Sequence, residues 1–226
     1  MSRAKIVIIS VIMATASAAP TSPVREPRSL DPFWHLPCGE VIDTDITPSG
    51  NIVEELKSIL LSIKLQHQLT LNDYLSRDYE FLYERVRIGV HEHQYIPNWV
   101  PGKRDVNIVR RLAGKEPQTI ANHLPKLHLD LQKFAVAIEE LIDDEPTEKI
   151  MEALRSTQSY LQMMLCEVES DIGYLPDVNL PERVPRSMMT AVEREPVDET
   201  RRLVRDWGVL LKYKDYLHAW RHVFDY

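Results

Sequence analysis

Apolar residues recur at three- and four-residue steps in four separate stretches of the chain, and this spacing predicts four long amphipathic helices. The second predicted helix has the most regular pattern, formed by Leu124, Leu127, Leu131, Phe134, Ile138 and Leu141. The predicted ranges are 49–74, 124–141, 146–173 and 198–224. We expect Ser49 or Gly50 to cap the first helix, Pro146 to open the third and Gly173 to end it.

The connections between these helices differ greatly in length, which limits how the helices can be arranged. Only a short turn at 143–146, whose last residue opens the third helix, joins the second helix to the third, so these two helices must be antiparallel. A helix of about 26 residues is roughly 39 Å long, and about a dozen extended residues are needed to return along it. The connections at 76–116 and 174–197 are long enough for such a return, but their length does not force it. We expect a short helix within 106–112, in the first of them.

This arrangement of one short and two long connections predicts an all-α fold. The long connections would serve as two overhand crossover loops of an up-up-down-down four-helix bundle. Bundles of this kind are typical of extracellular signalling ligands.

The first 48 residues differ from the rest of the chain. Arg3 and Lys5 precede an apolar run at 6–13 and small residues at 16–18, which is the order of a signal peptide covering 1–18. The apolar run is about half of the roughly 20 residues that span a membrane. Recurrent prolines then favour an extended leader over 19–48, ahead of a helical domain at 49–226. We therefore expect a secreted protein without membrane insertion.

The chain has two cysteines, Cys38 in the leader and Cys166 in the third predicted helix. An even pair in a secreted chain is more often bridged than free. Cys166 lies about 200° around its helix from Met164, so it points away from the apolar stripe and can receive a bridge from the leader. The alternative is two unpaired thiols, with Cys166 a small core residue.

Charge and motifs exclude several function classes. With 27 basic and 34 acidic residues the net charge is −7, which argues against nucleic acid and anionic membranes as partners. The sequence has neither a phosphate-binding glycine motif nor a nucleophile elbow, and its cysteines lack metal spacing. We therefore expect no enzymatic activity, no cofactor and no metal.

The histidines and the clustered acidic residues do not change the expectation of a protein without a catalytic or metal site. His91 and His93 fit a solvated loop better than a metal site, and His123 and His128 fit a surface or boundary position. A group of carboxylates near the second turn is expected to complement the start of the third helix: Glu139, Glu140, Asp143, Asp144 and Glu145.

The residues that remain as binding candidates are one tryptophan and polar residues of the fourth helix. Trp99, between Pro97 and Pro101, either packs against the bundle or is displayed as a binding anchor. Three arginines lie at the start of the fourth helix: Arg201, Arg202 and Arg205. They form either an ordinary solvated face or a basic patch that binds an acidic partner. The buried stripe of this helix is expected to be Leu203, Trp207, Leu210, Leu217, Trp220 and Phe224. Five residues of this helix are therefore expected on its polar or boundary faces: Arg202, Arg205, His218, Arg221 and Asp225.

Short motifs, in their order along the chain, resemble a known family. They are Tyr74-Leu75, residues 78–81, the Ile172-Gly173-Tyr174-Leu175-Pro176 ending of the third helix, Trp207-Gly208, residues 210–212, Trp220-Arg221 and Phe224-Asp225. With the helix layout, they resemble the long-chain helical cytokines of the interleukin-6 subfamily. The similar branch contains ciliary neurotrophic factor, cardiotrophin-like cytokine and leukaemia inhibitory factor.

The resemblance implies a monomeric growth-factor ligand that assembles gp130-type cytokine receptors and activates JAK/STAT signalling. It implies three contact regions: the end of the fourth helix with the first crossover, the exposed faces of the first and third helices, and the start of the fourth helix. A Cys38–Cys166 bridge would be similar to bridges in leukaemia inhibitory factor. The Phe-x-x-Lys pair of the family has no match at 201–205. The competing hypotheses are a secreted carrier of small apolar ligands and a secreted helical enzyme or inhibitor.

Overall fold

The computed structural model describes residues 31–39, 52–77 and 95–226, and every regular element in these ranges is helical. The long helices are α1 (Ile52–Leu75), α4 (Leu124–Asp144), α5 (Glu148–Gly173) and α7 (Glu199–Phe224). The short ones are α2 (Lys103–Arg110), α3 (Pro117–Ala121) and α6 (Ala191–Arg194), with 3-10 turns at Phe33–His35 and Arg186–Met188. The predicted all-α class is confirmed. No helix in the described ranges is both long and apolar enough to cross a membrane.

The predicted start of the third helix was two residues too early. α5 begins at Glu148 with Thr147 as its N-cap residue, and Pro146 lies in the connection. Glu145 precedes this proline and is extended (φ −86°, ψ 114°), because a residue before proline avoids the helical region. The Glu145 carboxylate instead accepts a 2.9 Å hydrogen bond from the Thr147 N–H.

α1 runs antiparallel to α5. Ser62 on α1 donates to Glu167 on α5. Arg77, just after α1, donates at 2.6 Å to Thr157, which lies nearer the start of α5 than Glu167 does. The partners therefore follow one another in opposite chain order. The short connection after α4 makes α4 and α5 antiparallel too, and His128 Nε2 of α4 lies 3.1 Å from Glu169 of α5.

α7 runs antiparallel to both α1 and α4. Against α1, Lys64 donates to the Asp225 carbonyl at 3.1 Å, and Tyr74 donates to the Leu210 carbonyl at 2.7 Å. Against α4, two further contacts have the same opposite order, Asp130 with Tyr216 and Asp144 with Arg205.

Aromatic rings fill the core between α1, α4 and α7. Phe134 lies 5.0 Å from Tyr213 and 5.5 Å from Tyr216, and Tyr74 meets Tyr213 edge-on at 5.1 Å. Most of the predicted α7 stripe is buried, namely Trp207, Leu210, Leu217, Trp220 and Phe224. Leu203 is only half-buried, which corrects the prediction for that position.

The described part of the leader packs against α5 and the connection that follows it. Cys38 and Cys166 form a disulfide, as predicted from the lone cysteine pair. Trp34 is fully buried and donates from its indole N–H to the Val184 carbonyl at 2.8 Å. Gln162 of α5 donates to the Pro37 carbonyl at 3.1 Å. Several predictions lie outside the described residues: the signal peptide at 1–18, the cap at 49–50, the 78–81 motif and the histidines 91 and 93.

Candidate functional site

Arg205 lies inside the protein, which contradicts its predicted place on a polar or boundary face. Its side chain is 1% exposed. The guanidinium donates to Asp144 of α4 at 2.7 Å and to the neighbouring Asp206 at 2.8 Å. It also donates to the Glu193 carbonyl at 2.8 Å, so α6 covers it from the outside. The backbone of Glu193 and Arg194 thus covers this side of α7, and the helical period of α7 gives no sign of that cover.

The carboxyl of Asp206 is enclosed with the Arg205 guanidinium. Burial raises the pKa of Asp206 to about 7, against the opposing attraction of Arg205 and then of Arg202. Removing one partner of such a buried ion pair lowers the stability of the fold strongly, because the remaining charge is neither paired nor solvated. The cluster thus has a structural explanation, and we do not assign it to a partner.

The other two arginines at the start of α7 differ in availability. Arg202 is half-buried and donates to Glu199 at 2.7 Å and to the Asp144 carbonyl at 3.2 Å. Arg201 has a 40% exposed side chain, pairs with Asp198 at 3.3 Å and lies 4.9 Å from the Tyr95 ring centre. Of the predicted basic patch, Arg201 is the residue most available for contact.

The end of α7 presents the exposed candidates Arg221 and Asp225. Arg221 donates to the Tyr226 carbonyl at 2.8 Å and its guanidinium lies 5.8 Å from the Tyr226 ring centre. Asp225 adopts a left-handed conformation (φ 53°) that turns the chain back toward α1. His218 is half-buried, and its pKa is lowered first by burial and then by Arg221. These side chains form a polar surface where the end of α7 meets α1.

Trp99 packs against the core, and the structure thereby favours the first of its two predicted alternatives. Its side chain is half-buried, and its indole nitrogen is buried without a hydrogen-bond partner in the described part of the chain. The same connection brings Ile96 against Gly208 of α7, with no space for a β-carbon between them. Beside this contact, a groove of about 400 Å³ separates α2 from α7 and is floored by Val106, Trp207 and Leu211.

α1 carries an exposed apolar ridge that the sequence analysis did not single out. Leu61, Leu65 and Leu69 are 54%, 54% and 57% exposed. Their four-residue spacing places them on one face of the helix. On the neighbouring α5, Met163 is 44% exposed. The signal was present in the sequence, because these leucines fall outside the stripe formed by Leu56, Ile59 and Ile63, which the structure buries.

The carboxylates around the second turn pair with arginines of the long connection after α5. Glu139 accepts from Arg186 at 2.7 Å, and Glu140 pairs with Arg194. The prediction that this group complements the start of α5 was therefore incomplete. Two of its members, Glu139 and Glu140, instead form ion pairs with arginines at 186 and 194. Among described residues, no group of three metal-ligating side chains lies close enough to hold a metal ion.

His128 is fully buried, so its predicted surface or boundary position was wrong. Its partner is Glu169 on the next helix, at 3.1 Å. Burial alone would raise the pKa of Glu169, but hydrogen bonds from Arg183 and then His128 lower it to about 2. The other predicted boundary histidine, His123, is half-buried and lies 2.8 Å from the Thr119 carbonyl.

Comparison with protein-family models, with curated proteins and with solved structures found no match to this chain. Function must therefore be argued from the fold and from its exposed surfaces.

Proposed function

We propose that this protein is a secreted cytokine that binds and assembles gp130-type cell-surface receptors to activate JAK/STAT signalling. The observation that carries the proposal is the direction of the long helices. α1 and α4 each run antiparallel to α7, α1 runs antiparallel to α5, and a three-residue connection makes α4 and α5 antiparallel. This supports an up-up-down-down bundle in which 76–123 and 174–198 are the crossovers, the topology of helical cytokines.

The exposed surfaces support the same proposal. The leucine ridge of α1 and the exposed Met163 of α5 fit the contact region that the resemblance implies for the first and third long helices. Arg221 and Asp225 fit the region at the end of the fourth long helix, and Arg201 fits the region at its start. Arg205 has no part in these contacts, because it is buried.

A carrier of small apolar ligands requires a cavity inside the bundle. The 400 Å³ groove lies between α2 and α7 and is rimmed by Lys103 and Arg110, which are exposed to solvent. It therefore does not supply the interior cavity on which the carrier hypothesis depends. For this reason we prefer the cytokine assignment.

The test is receptor-dependent STAT phosphorylation in a panel of cells from the source organism, with chemical crosslinking to identify the surface proteins bound. We expect the double variant Leu65→Asp/Leu69→Asp to lower signalling potency at least about tenfold, because truncating an interface hot spot costs about 2 kcal/mol or more. Leu180→Asp/Val192→Asp is the matched control, because Leu180 and Val192 are 42% and 81% exposed and lie off the ridge.

Both variants should keep the helical melting curve of the wild type. A wild-type protein that crosslinks to no receptor and provokes no STAT response would overturn the proposed function. Equal potency of the ridge variant and the control would remove α1 from the receptor surface.

A further inference from the structure

α2 carries a group of basic side chains that are exposed to solvent. Lys103, Arg104, Arg110 and Arg111, in and directly after α2, are all exposed to solvent. Their side chains form no hydrogen bond or ion pair with any part of the chain that the structure describes. We call these four residues the α2 basic face. It stands out because the whole chain has a net charge of −7.

The one acidic residue of α2 does not neutralise this face. Asp105 is engaged elsewhere, accepting from Lys126 at 2.8 Å and from the Gly102 N–H at 3.0 Å. Burial would raise the pKa of Asp105, but these hydrogen bonds lower it, so the carboxylate stays ionised and paired. The positive charge of the α2 basic face is therefore directed to solvent.

Helix stability does not explain the first two of these cations. Lys103 and Arg104 lie in the first turn of α2, where the helix dipole disfavours positive charge by about 0.3–1 kcal/mol per residue. The helix is held to the bundle by its buried residues Val106 and Val109 instead. Cations that lower the stability of a helix, without another contact that compensates for the loss, indicate a binding role.

The shape around the basic face favours a flexible polyanion over a folded protein surface. A shallow depression is lined by Lys103, Arg104, Asn107, Ile108 and Arg111. Protein interfaces are anchored by large side chains, often aromatic, that fill pockets, and the only apolar side chain here is the half-buried Ile108. Guanidinium groups bind tetrahedral oxyanions through paired hydrogen bonds, and clusters of lysine and arginine are typical of heparin-binding patches.

We propose that the α2 basic face binds sulfated glycosaminoglycan chains. This inference rests on the extracellular location in the proposed function, because sulfated polysaccharides are polyanions that a secreted protein meets at cell surfaces. Binding would hold the protein near the cell surface through α2, a different helix from the one that carries the leucine ridge.

The experiment measures the affinity of the full secreted chain for a size-defined heparin oligosaccharide by calorimetry at several salt concentrations. With about four charge contacts, we expect affinity to fall about 50- to 150-fold between 50 and 200 mM salt. The test variant is Arg104→Gln/Arg111→Gln. The matched control is Lys149→Gln/Arg155→Gln, which removes the same charge from exposed positions on α5.

We expect the test variant to weaken heparin binding at least tenfold and to lower the salt dependence by about half, since two of about four contacts are lost. The control should change affinity less than twofold. Hyaluronan, which carries carboxylates but no sulfates, should bind at least tenfold more weakly than heparin. Circular-dichroism melting of both variants should match the wild type.

Equal losses in the two variants would overturn the proposal, because they would show a nonspecific charge effect. Wild-type protein that fails to bind heparin at 150 mM salt would overturn it as well. If the test variant keeps its heparin affinity but loses binding to purified receptor, the basic face serves an acidic protein partner instead. Heparin binding without any STAT response would leave this proposal standing and would count against the proposed function.

Discussion

Gly208 of α7 has no room for a β-carbon, because one built there would lie 2.0 Å from Cδ1 and 2.5 Å from Cγ1 of Ile96. This contact brings the first long connection against the middle of α7. A helical glycine is normally a weak point, since alanine at the same place is favoured by about 0.5–1 kcal/mol. Here the close approach of Ile96 explains the glycine.

Gly208→Ala should therefore lower the free energy of unfolding by about 1–3 kcal/mol, because overpacking outweighs the gain in helix propensity. The measurement is urea unfolding followed by circular dichroism. In an Ile96→Ala background, the same change should become neutral or stabilising by up to about 1 kcal/mol. A Gly208→Ala effect of equal size in both backgrounds would show that the Ile96 contact is not its cause.

Arg205→Ala should destabilise the fold by about 3–5 kcal/mol, because it leaves the carboxyls of Asp144 and Asp206 without their buried partner. Arg201→Ala is the matched control and should stay within about 0.5 kcal/mol, as for other surface substitutions. Thermal melting at pH 7 distinguishes the two variants. An Arg205→Ala protein that melts like the wild type would contradict the buried ion-pair cluster.

Removing the disulfide by Cys38→Ser/Cys166→Ser should cost about 2–5 kcal/mol, because the bridge closes a long loop in the unfolded chain. The separation of 128 residues places the expected loss toward the upper end of that range. Urea titration of the variant and of the oxidised wild type measures the difference. Equal unfolding midpoints would contradict the expectation.

Asp171 should make the protein less stable as the pH rises from about 4 to 7. Burial, and next the nearby Glu167, raise its pKa from 3.8 to about 7. In this window the folded state holds a proton that the unfolded state has released, so the free energy of unfolding falls with rising pH. Asp171→Asn should reduce this decline and raise stability at pH 8, leaving the part that Asp206 contributes through its own raised pKa of about 7. An unchanged pH profile of unfolding would refute the assignment.

Glu169 should have the opposite effect at lower pH. Its pKa is lowered from 4.5 to about 2, so the folded state binds fewer protons than the unfolded state between these values. The stabilisation is present above pH 4.5 and is lost as the pH falls toward 2. Glu169→Gln should reduce this loss of stability at low pH, measured as the midpoint of urea unfolding at pH 2.5, 3.5 and 5. If the variant loses as much stability as the wild type, other carboxyls take up the protons.

The sequence was sufficient for features that depend on neighbours along the chain. The steps of three and four that place Leu124, Leu127 and Leu131 on one face are a local property of α4, and all three are fully buried. The disulfide needed only the presence of two cysteines and the outward direction of Cys166. The start of α5 was missed by two residues, because Thr147 is also extended and serves as the N-cap, although the sequence offered Pro146 as the first helical residue.

The sequence was insufficient where a polar residue is stabilised by a distant partner. Arg205 and Asp144 are 61 residues apart, and His128 and Glu169 are 41 apart. Nothing in the period of one helix shows that another helix will supply a matching charge. The same reason explains the two exposed clusters that the sequence analysis passed over, the α1 leucine ridge and the α2 basic face, because exposure depends on which elements pack over a helix.

The Cys38–Cys166 bond makes the intervening chain, which includes α1 and α4, a covalent ring. A protease that cuts once within 39–165 would open this ring without releasing a fragment, and the nicked molecule would migrate as one species until it is reduced. A cut between residues 166 and 199 would separate α7 covalently from the ring, and only non-covalent contacts, among them those with α1, α2 and α4, would then hold it. Limited proteolysis compared on reducing and non-reducing gels would thus reveal on which side of Cys166 the chain is cut.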